Sequence, residues 1–286
     1  MANLKEIRNR ITSVSSTMQI TSAMKMVSAA KLKKAQDAIT AMRPYANKLT
    51  ELLQSLSATL DVDSGSVYSE QREVKKVLLV VITSNRGLCG AFNSNIIKAA
   101  NHLINNDYSN AEVQIVAIGK KANDAFKKSG KLLANKSDIF DDLTFNNAAD
   151  IAQSLMDLFV NHKADKIELV YNQFKNAATQ IVMTEQFLPI VPPQADANVN
   201  LDYIFEPSKL EIVEALIPKS LKTQIYKAIR DSFAAEHGAR MTAMHKATDN
   251  ATELRDQLKL TYNKARQAAI TNEILEIVGG AEALNN

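Results

Sequence analysis

The chain has 286 residues, 46% of them hydrophobic, 6% aromatic and none tryptophan. That is the composition of a folded, helix-rich chain, not a disordered one. Its one cysteine, Cys89, excludes an intramolecular disulfide and a multi-cysteine metal site, and its net charge of +3 is uneven: +6 over residues 1–60, −4 over 61–208 and +1 over 209–286, so the first segment suits an anionic partner.

The N-terminus, Met1 to Arg8, has no apolar signal core and enters a helical pattern at once. No run of eighteen apolar residues follows anywhere, so no membrane-spanning helix is expected. Written in heptads, the a positions are Leu4, Ile11, Met18, Lys25, Leu32, Ile39, Ala46, Leu53 and Leu60. The d positions are Ile7, Val14, Thr21, Ser28, Ala35, Met42, Leu49 and Leu56. Fourteen of these seventeen are apolar, and a 3.5-residue period held so long predicts a coiled coil over residues 1–60. Pro44 predicts a bend or break there, not an end, because the heptad continues beyond it. Thr21, Lys25 and Ser28 make one polar stretch in the seam. It reads either as a layer that fixes register or as a place where the rod touches something besides its partner helix. Lys31, Lys33 and Lys34 read as a solvated face.

A central body over residues 74–206 comes next. Val74–Thr83 reads as a buried strand, nearly continuous in β-branched and apolar residues as parallel strands are. Ser84–Asn93 is a loop, Ser94–Asn106 a helix, Glu112–Gly119 a second strand, and Lys120–Lys128 a short helix closed by Gly130. Ala148–His162 is an amphipathic helix. Lys166–Phe174 and Thr179–Leu188 alternate with period two and predict a hairpin turned at Lys175–Ala178, ended by Pro189, Pro192 and Pro193. Leu201–Phe205 reads as an edge strand. The order of elements gives an α/β sheet with helices on its faces.

Chemistry-bearing patterns are absent. Gly87 and Gly90 sit three apart with Ala91 and Phe92 after them, which matches neither a Walker loop nor a dinucleotide fingerprint, so the loop reads as a tight structural turn. Cys89 reads as a buried structural thiol, with no histidine near it in sequence to activate it. His102, His162, His237 and His245 have no ligand-type partner at helical spacing and read as surface or core filler. Basic residues are not interleaved with aromatics, which speaks against nucleic acid.

The last segment, 208–284, opens with Ser208 as N-cap and Glu211 three residues on, a capping box. Between Pro218 and Gly279 there is no proline and one glycine, Gly238, so one long helix is predicted. Its stripe runs Leu221, Ile225, Ala228, Ser232, Ala235, Ala239, Ala243, Ala247, Ala251, Leu254, Leu258, Thr261, Ala265 and Ala268. A tight crossing would account for Gly238. The simplest packing is an antiparallel two-helix coil of residues 3–60 with 209–278, about 87 Å against roughly 105 Å at helical rise. The longer helix must then overhang. From Gln267 to Leu284 there is no Lys or Arg and most sides are apolar, and such an end needs a sleeve made by other subunits.

Five stretches resemble the γ subunits of F-type ATP synthases. They are Ile20–Val27 (ITSAMKMV), Ser84–Gly90 (SNRGLCG), Ser232–Met244 (SFAAEHGARMTAM), Tyr262–Gln267 (YNKARQ) and Ile270–Leu284 (ITNEILEIVGGAEAL). They occur in the family's order over nearly the whole chain, and the last alone is specific. The absence of the chloroplast regulatory insertion and of an organelle presequence suggests a bacterial form. The family's usual Asp is Asn85 here, and its usual C-terminal small residue is Gly280.

The resemblance implies a long antiparallel coiled coil of the two termini with a central Rossmann-like domain. It implies a non-catalytic rotor shaft with no cofactor and no metal. Its partners would be α and β subunits of a catalytic ring, an ε subunit and a membrane c ring driven by protons or sodium, and membrane contact would come only through partners. The expected place is the cytoplasmic face of a bacterial inner membrane. By position, Met24, Lys25, Arg266, Gln267, Thr271 and Glu273 match residues that meet the catalytic ring, while Tyr203 and Glu206 match the foot towards the c ring. Two other readings stand beside this: a nucleotide-binding α/β protein with coiled-coil arms, and a self-associating coiled-coil scaffold.

Overall fold

The computed structural model describes residues 4–57, 67–190 and 209–284. The elements run α1 (Leu4–Ser57), β1 (Lys76–Ile82), α2 (Phe92–His102), β2 (Glu112–Ile118), α3 (Lys120–Phe126), β3 (Leu132–Asn135), α4 (Phe145–Val160), β4 (Lys166–Phe174), β5 (Gln180–Leu188) and α5 (Lys209–Leu284). Two compact units result: Met1–Ser28 with Met241–Asn286, and Ala29–Arg240. The predicted edge strand Leu201–Phe205, the cap Ser208, and the foot residues Tyr203 and Glu206 lie outside the described residues.

In the unit 29–240, the five strands among the described residues form one sheet in the order β3-β2-β1-β4-β5. β1 pairs in parallel with β2 and β4, as in Val80 opposite Val116 and Leu169. β4 and β5 form the predicted antiparallel hairpin. Strands β1 and β2 are covered on both faces, which is why they carry unbroken apolar runs. On one face Leu78, Val80 and Ile82 pack with Leu155, Met156 and Phe159 of α4 and with Ile217, Leu221 and Ile225 of α5. On the other, Val77, Leu79 and Val81 pack with Ile96 and Ala100 of α2 and Ala122 and Phe126 of α3.

The structure adds β3 and a short 3-10 turn at Ser137–Phe140. Sequence gave no sign of β3: Leu-Leu-Ala-Asn has no β-branched residue, and the strand is a four-residue sheet edge with alternate residues exposed. α2 begins two residues earlier than expected and ends in a π-turn at Leu103–Asp107.

Neither proline ends its helix. Pro44 lies inside α1 and Pro218 inside α5. A helical proline costs about 3 kcal/mol, but Ile39, Ala46 and Leu49 are buried on either side of Pro44, and Ile217 and Leu221 flank Pro218 in the core. Each fully buried aliphatic side chain contributes about 1.5–3 kcal/mol, so packing outweighs the local penalty.

Gly238 is explained differently from the expectation. A Cβ there would lie 3.2 Å from the Cα and carbonyl oxygen of Ala177 and 3.5 Å from the Phe174 ring. The close approach is to the β4–β5 hairpin turn, not to a second rod.

Candidate functional surfaces

At the C-terminal end of β1, the side where open parallel sheets take ligands, the loop after Thr83 is tied down by its own residues. Ser84 N donates to Asn93 Oδ1 at 3.0 Å, and Ser84 Oγ to the Arg86 carbonyl at 2.6 Å. Asn93 Nδ2 donates to Ser84 Oγ at 2.8 Å and reaches Cys89 Sγ at 3.1 Å. Asn85 Oδ1 accepts from Lys120 N, and its Nδ2 donates to the Ser137 carbonyl at 3.1 Å. An aspartate carboxylate cannot make that second bond, since it has no hydrogen to give. Cys89 is buried, and burial pushes its thiol above the ordinary value. It therefore stays protonated at neutral pH, which is the structural role and not that of a nucleophile.

The crevice beside this loop is filled by α5. Arg240 Nη2 donates to the carbonyls of Arg86 and Gly87 at 3.0 and 3.2 Å, and Nε reaches the Gly87 carbonyl at 3.3 Å. Nη1 pairs with Glu236 Oε1 at 2.6 Å, and both side chains are buried. A phosphate cradle turns backbone N–H groups inward. This loop turns carbonyls towards a guanidinium, the opposite polarity. Among the described residues no group of three or more His, Cys, Asp or Glu is placed to hold a metal ion.

His237 sits in the same cluster, edge-on to Phe233 with ring centroids 4.5 Å apart. Burial, then the charges of Arg240 and Lys31, lowers its pKa from 6.5 to about 3, so it is neutral when folded. The unfolded chain takes up this proton as pH falls below about 6.5 and the folded chain does not. Its contribution to stability is therefore complete above that pH and is lost progressively towards about pH 3. Glu236, whose pKa burial raises, acts in the opposite sense. We expect His237→Gln to flatten the acid limb: the loss between pH 7 and pH 5 should shrink by about 2 kcal/mol. Urea denaturation followed by circular dichroism reads this, and parallel curves for the two proteins would refute it.

The second surface is in the unit formed by the two termini. Arg8 donates to the Tyr262 hydroxyl at 2.7 Å, Arg255 Nη1 to Met18 Sδ at 3.5 Å, Thr21 and Thr248 share a 2.9 Å hydroxyl bond, and Lys25 Nζ lies 3.5 Å from His245 Nδ1. Numbers rise along α1 as they fall along α5, so the pair is antiparallel, the arrangement expected as the simplest packing of the two termini. Seam residues Ile7, Thr21 and Ser28 are buried, and Leu4, Ile11, Val14, Met18 and Lys25 are half-buried. The polar stretch thus acts as a register layer through Thr21–Thr248 and Lys25–His245. Met24 and Lys25 keep half-exposed side chains beside Ile20, Met26 and Val27, which are more than half exposed.

On α5 the predicted stripe is buried at Leu221, Ile225, Ala228, Ser232, Ala235, Ala239 and Ala251, and slips by one position at two places beyond them. Leu254 and Thr261 are exposed, while Arg255 and Tyr262 face inward. Long amphipathic side chains cover the seam with their stems and bond across it with their tips, which an apolar count does not detect.

From Arg266 to Ala281 every residue is exposed. Ile270, Ile274, Leu275, Ile277 and Val278 are between 48% and 67% exposed. Arg266, Gln267, Thr271 and Glu273 lie on this same bare helix, apart from Met24 and Lys25.

The family model described as ATP synthase matches residues 3–284. The ATP synthase gamma chain of Flavobacterium psychrophilum is 74% identical over 285 residues, covering 99% of both chains. That of Flavobacterium johnsoniae is 73% identical over 286 residues, covering all of both. Among solved structures, the central stalk and c-ring structure of the Tetrahymena thermophila mitochondrial ATP synthase matches with a TM-score of 0.58 at 26% identity. The match covers 80% of this chain and 99% of that one. The rotor of the Euglena gracilis mitochondrial ATP synthase shares the fold, with a TM-score of 0.68 at 22% identity over 93% of this chain and 98% of the other. With its sheet body, its antiparallel terminal helices and this full-length likeness, the chain belongs to the ATP synthase gamma chain family.

Proposed function

We propose that this chain is the central rotor shaft of a proton- or sodium-translocating F-type ATP synthase. The observation that carries the reading is the bare apolar end of α5, Ile270 to Val278, continuing from an antiparallel helix pair. An apolar rod end in water is unfavourable, and a ring of surrounding subunits is the bearing that covers it while leaving it free to turn. The shaft does no bond chemistry and needs no cofactor. Rotation of a membrane c ring turns it, and its unequal faces impose different conformations in turn on nucleotide sites of an α/β ring, a rigid-body form of allostery.

In this reading Met24 and Lys25 meet the lower part of the ring, and Arg266, Gln267, Thr271 and Glu273 meet its upper loops. Tyr203 and Glu206 form the foot on the c ring, and an ε subunit sits beside the sheet body. The working division is 1–60, 74–206 and 208–284. The chain works in a membrane-associated complex, although among the described residues no helix is long and apolar enough to cross a membrane. We place it on the cytoplasmic face of a bacterial inner membrane.

The test is purification of the native complex through a tag on this chain, with subunit copies counted by mass. One copy with a ring of α and β is expected. A symmetric dimer of this chain without them would favour the scaffold reading. Saturable nucleotide binding by the chain alone would favour the nucleotide-binding one.

A further inference from the structure

Arg240 is the last residue of α5 in the unit Ala29–Arg240, and it is only 6% exposed. Its guanidinium bonds the Arg86 carbonyl, the Gly87 carbonyl and the Glu236 carboxylate, and its Nη1 also lies 3.5 Å from His237 Nδ1. The two carbonyls belong to the loop leaving β1, so one side chain bonds the helix to the end of the sheet's central strand. On the outer side of the same loop, Leu88 stands 64% exposed with φ +62. A bulky residue in the left-handed region persists only where its surroundings hold it. Ser84 and Asn93 supply part of that hold from within the loop. Arg240 is the part that comes from the shaft helix. Lysine keeps the charge for Glu236 but lacks the planar fork that serves two carbonyls and a carboxylate together.

We infer that Arg240 is a positioning residue for energy coupling, a torsional lock that fastens α5 to the loop at the end of β1 so that torque passes between helix and sheet without slip. This rests on the rotor reading above. Two consequences follow. With the lock loosened, the loop opens locally more often. Torque applied against a load is partly lost, so fewer ions move per ATP hydrolysed, while hydrolysis without a load continues.

The test uses the assembled complex carrying Arg240→Lys, and a second variant, Glu236→Gln with Arg240→Gln, which removes the ion pair without stranding a buried charge. Co-assembly of the wild-type chain with the catalytic ring is scored first: its failure would sink the rotor reading and leave the loop result to be judged on cleavage alone. We expect trypsin cleavage after Arg86, identified by fragment mass, to rise about ten-fold in either variant. Ions pumped per ATP hydrolysed against an opposing gradient should fall at least about two-fold, with unloaded hydrolysis unchanged. Wild-type cleavage after Arg86 in an assembled variant overturns the lock. Faster cleavage with an unchanged pumping ratio overturns its role in coupling. If Arg240→Lys fails to assemble, the double variant decides by the same two measurements; failure of both to assemble, with the chain still folded by circular dichroism, would likewise count against a role confined to positioning.

Discussion

A chain ended at Leu258 supports about ten-fold less ion-coupled ATP synthesis than the full chain in the assembled complex. The truncation removes the bare apolar residues Ile270, Ile274, Leu275, Ile277 and Val278 and the polar set Arg266, Gln267, Thr271 and Glu273. Fully burying one aliphatic side chain contributes about 1.5–3 kcal/mol. The five apolar residues are already about half covered by their own helix, so a closely fitting sleeve gains on the order of 5 kcal/mol from them. Part of that goes to ordering the sleeve. The truncation also removes Tyr262, and with it the bond to Arg8, so the helix pair frays at that end.

Hydrolysis alone is the wrong measurement, because a shortened shaft can still turn. Synthesis under a gradient requires the shaft to hold its angle against the ring. A full-length chain with Ile274→Asp and Ile277→Asp separates length from chemistry, and it should lose coupling in the same direction. Wild-type synthesis rates from both variants would remove the end of α5 from the mechanism.

Gly119→Ala destabilises the sheet body by about 4 kcal/mol or more, among the largest effects a single methyl can have. Gly119 has φ +114, which side chains rarely adopt, and an added Cβ would lie 2.2 Å from the Thr83 carbonyl oxygen and 2.7 Å from Thr83 Oγ1. Thr83 cannot retreat. Its N donates to the Ile118 carbonyl at 2.8 Å, its Oγ1 accepts from Ala122 N at 2.8 Å, and it is fully buried. The substitution must break either the β1–β2 junction or the start of α3. A fall in Tm of about 10 °C is expected by calorimetry. Gly279→Ala is the control: nothing lies within 4 Å of its Cβ position, and the helix should gain up to about 1 kcal/mol. A Tm for Gly119→Ala within two or so degrees of wild type would show that the strand end can move after all.

Much of this architecture is legible in residue spacing. The heptads from Leu4 to Leu49 mark the buried edge of α1, and the lack of Lys or Arg after Arg266 marks the uncovered end. Val77 to Ile82 announces a central parallel strand because both its faces are covered. What sequence does not reveal are contacts made by residues of the wrong class. Arg255 and Tyr262 line the α5 seam although neither belongs to the predicted stripe of small and aliphatic residues. β3 forms because β2 offers it an edge, not because Leu132–Asn135 favours a strand. Gly238 looks like a helix crossing but faces a hairpin turn, since only the fold brings Ala177 there. Of the candidate interface residues, those on α5 beyond Ala265 rest on resemblance alone; composition marks only the bare helix that carries them. Glu236, His237 and Arg240, three buried polar residues within one helical turn of alanines, were a signal that the apolar count passed over.

The hydroxyl pair Thr21–Thr248 and the Arg8–Tyr262 bond work together as a ruler. Sliding either helix by one heptad would set Thr21 against Arg255 or Met241 and forfeit both bonds, while moving the free end by about 10 Å. Polar residues in the seam thereby fix how far the shaft protrudes, and an insertion or deletion of seven residues in either terminal helix would change its reach without disturbing the greasy pattern around it.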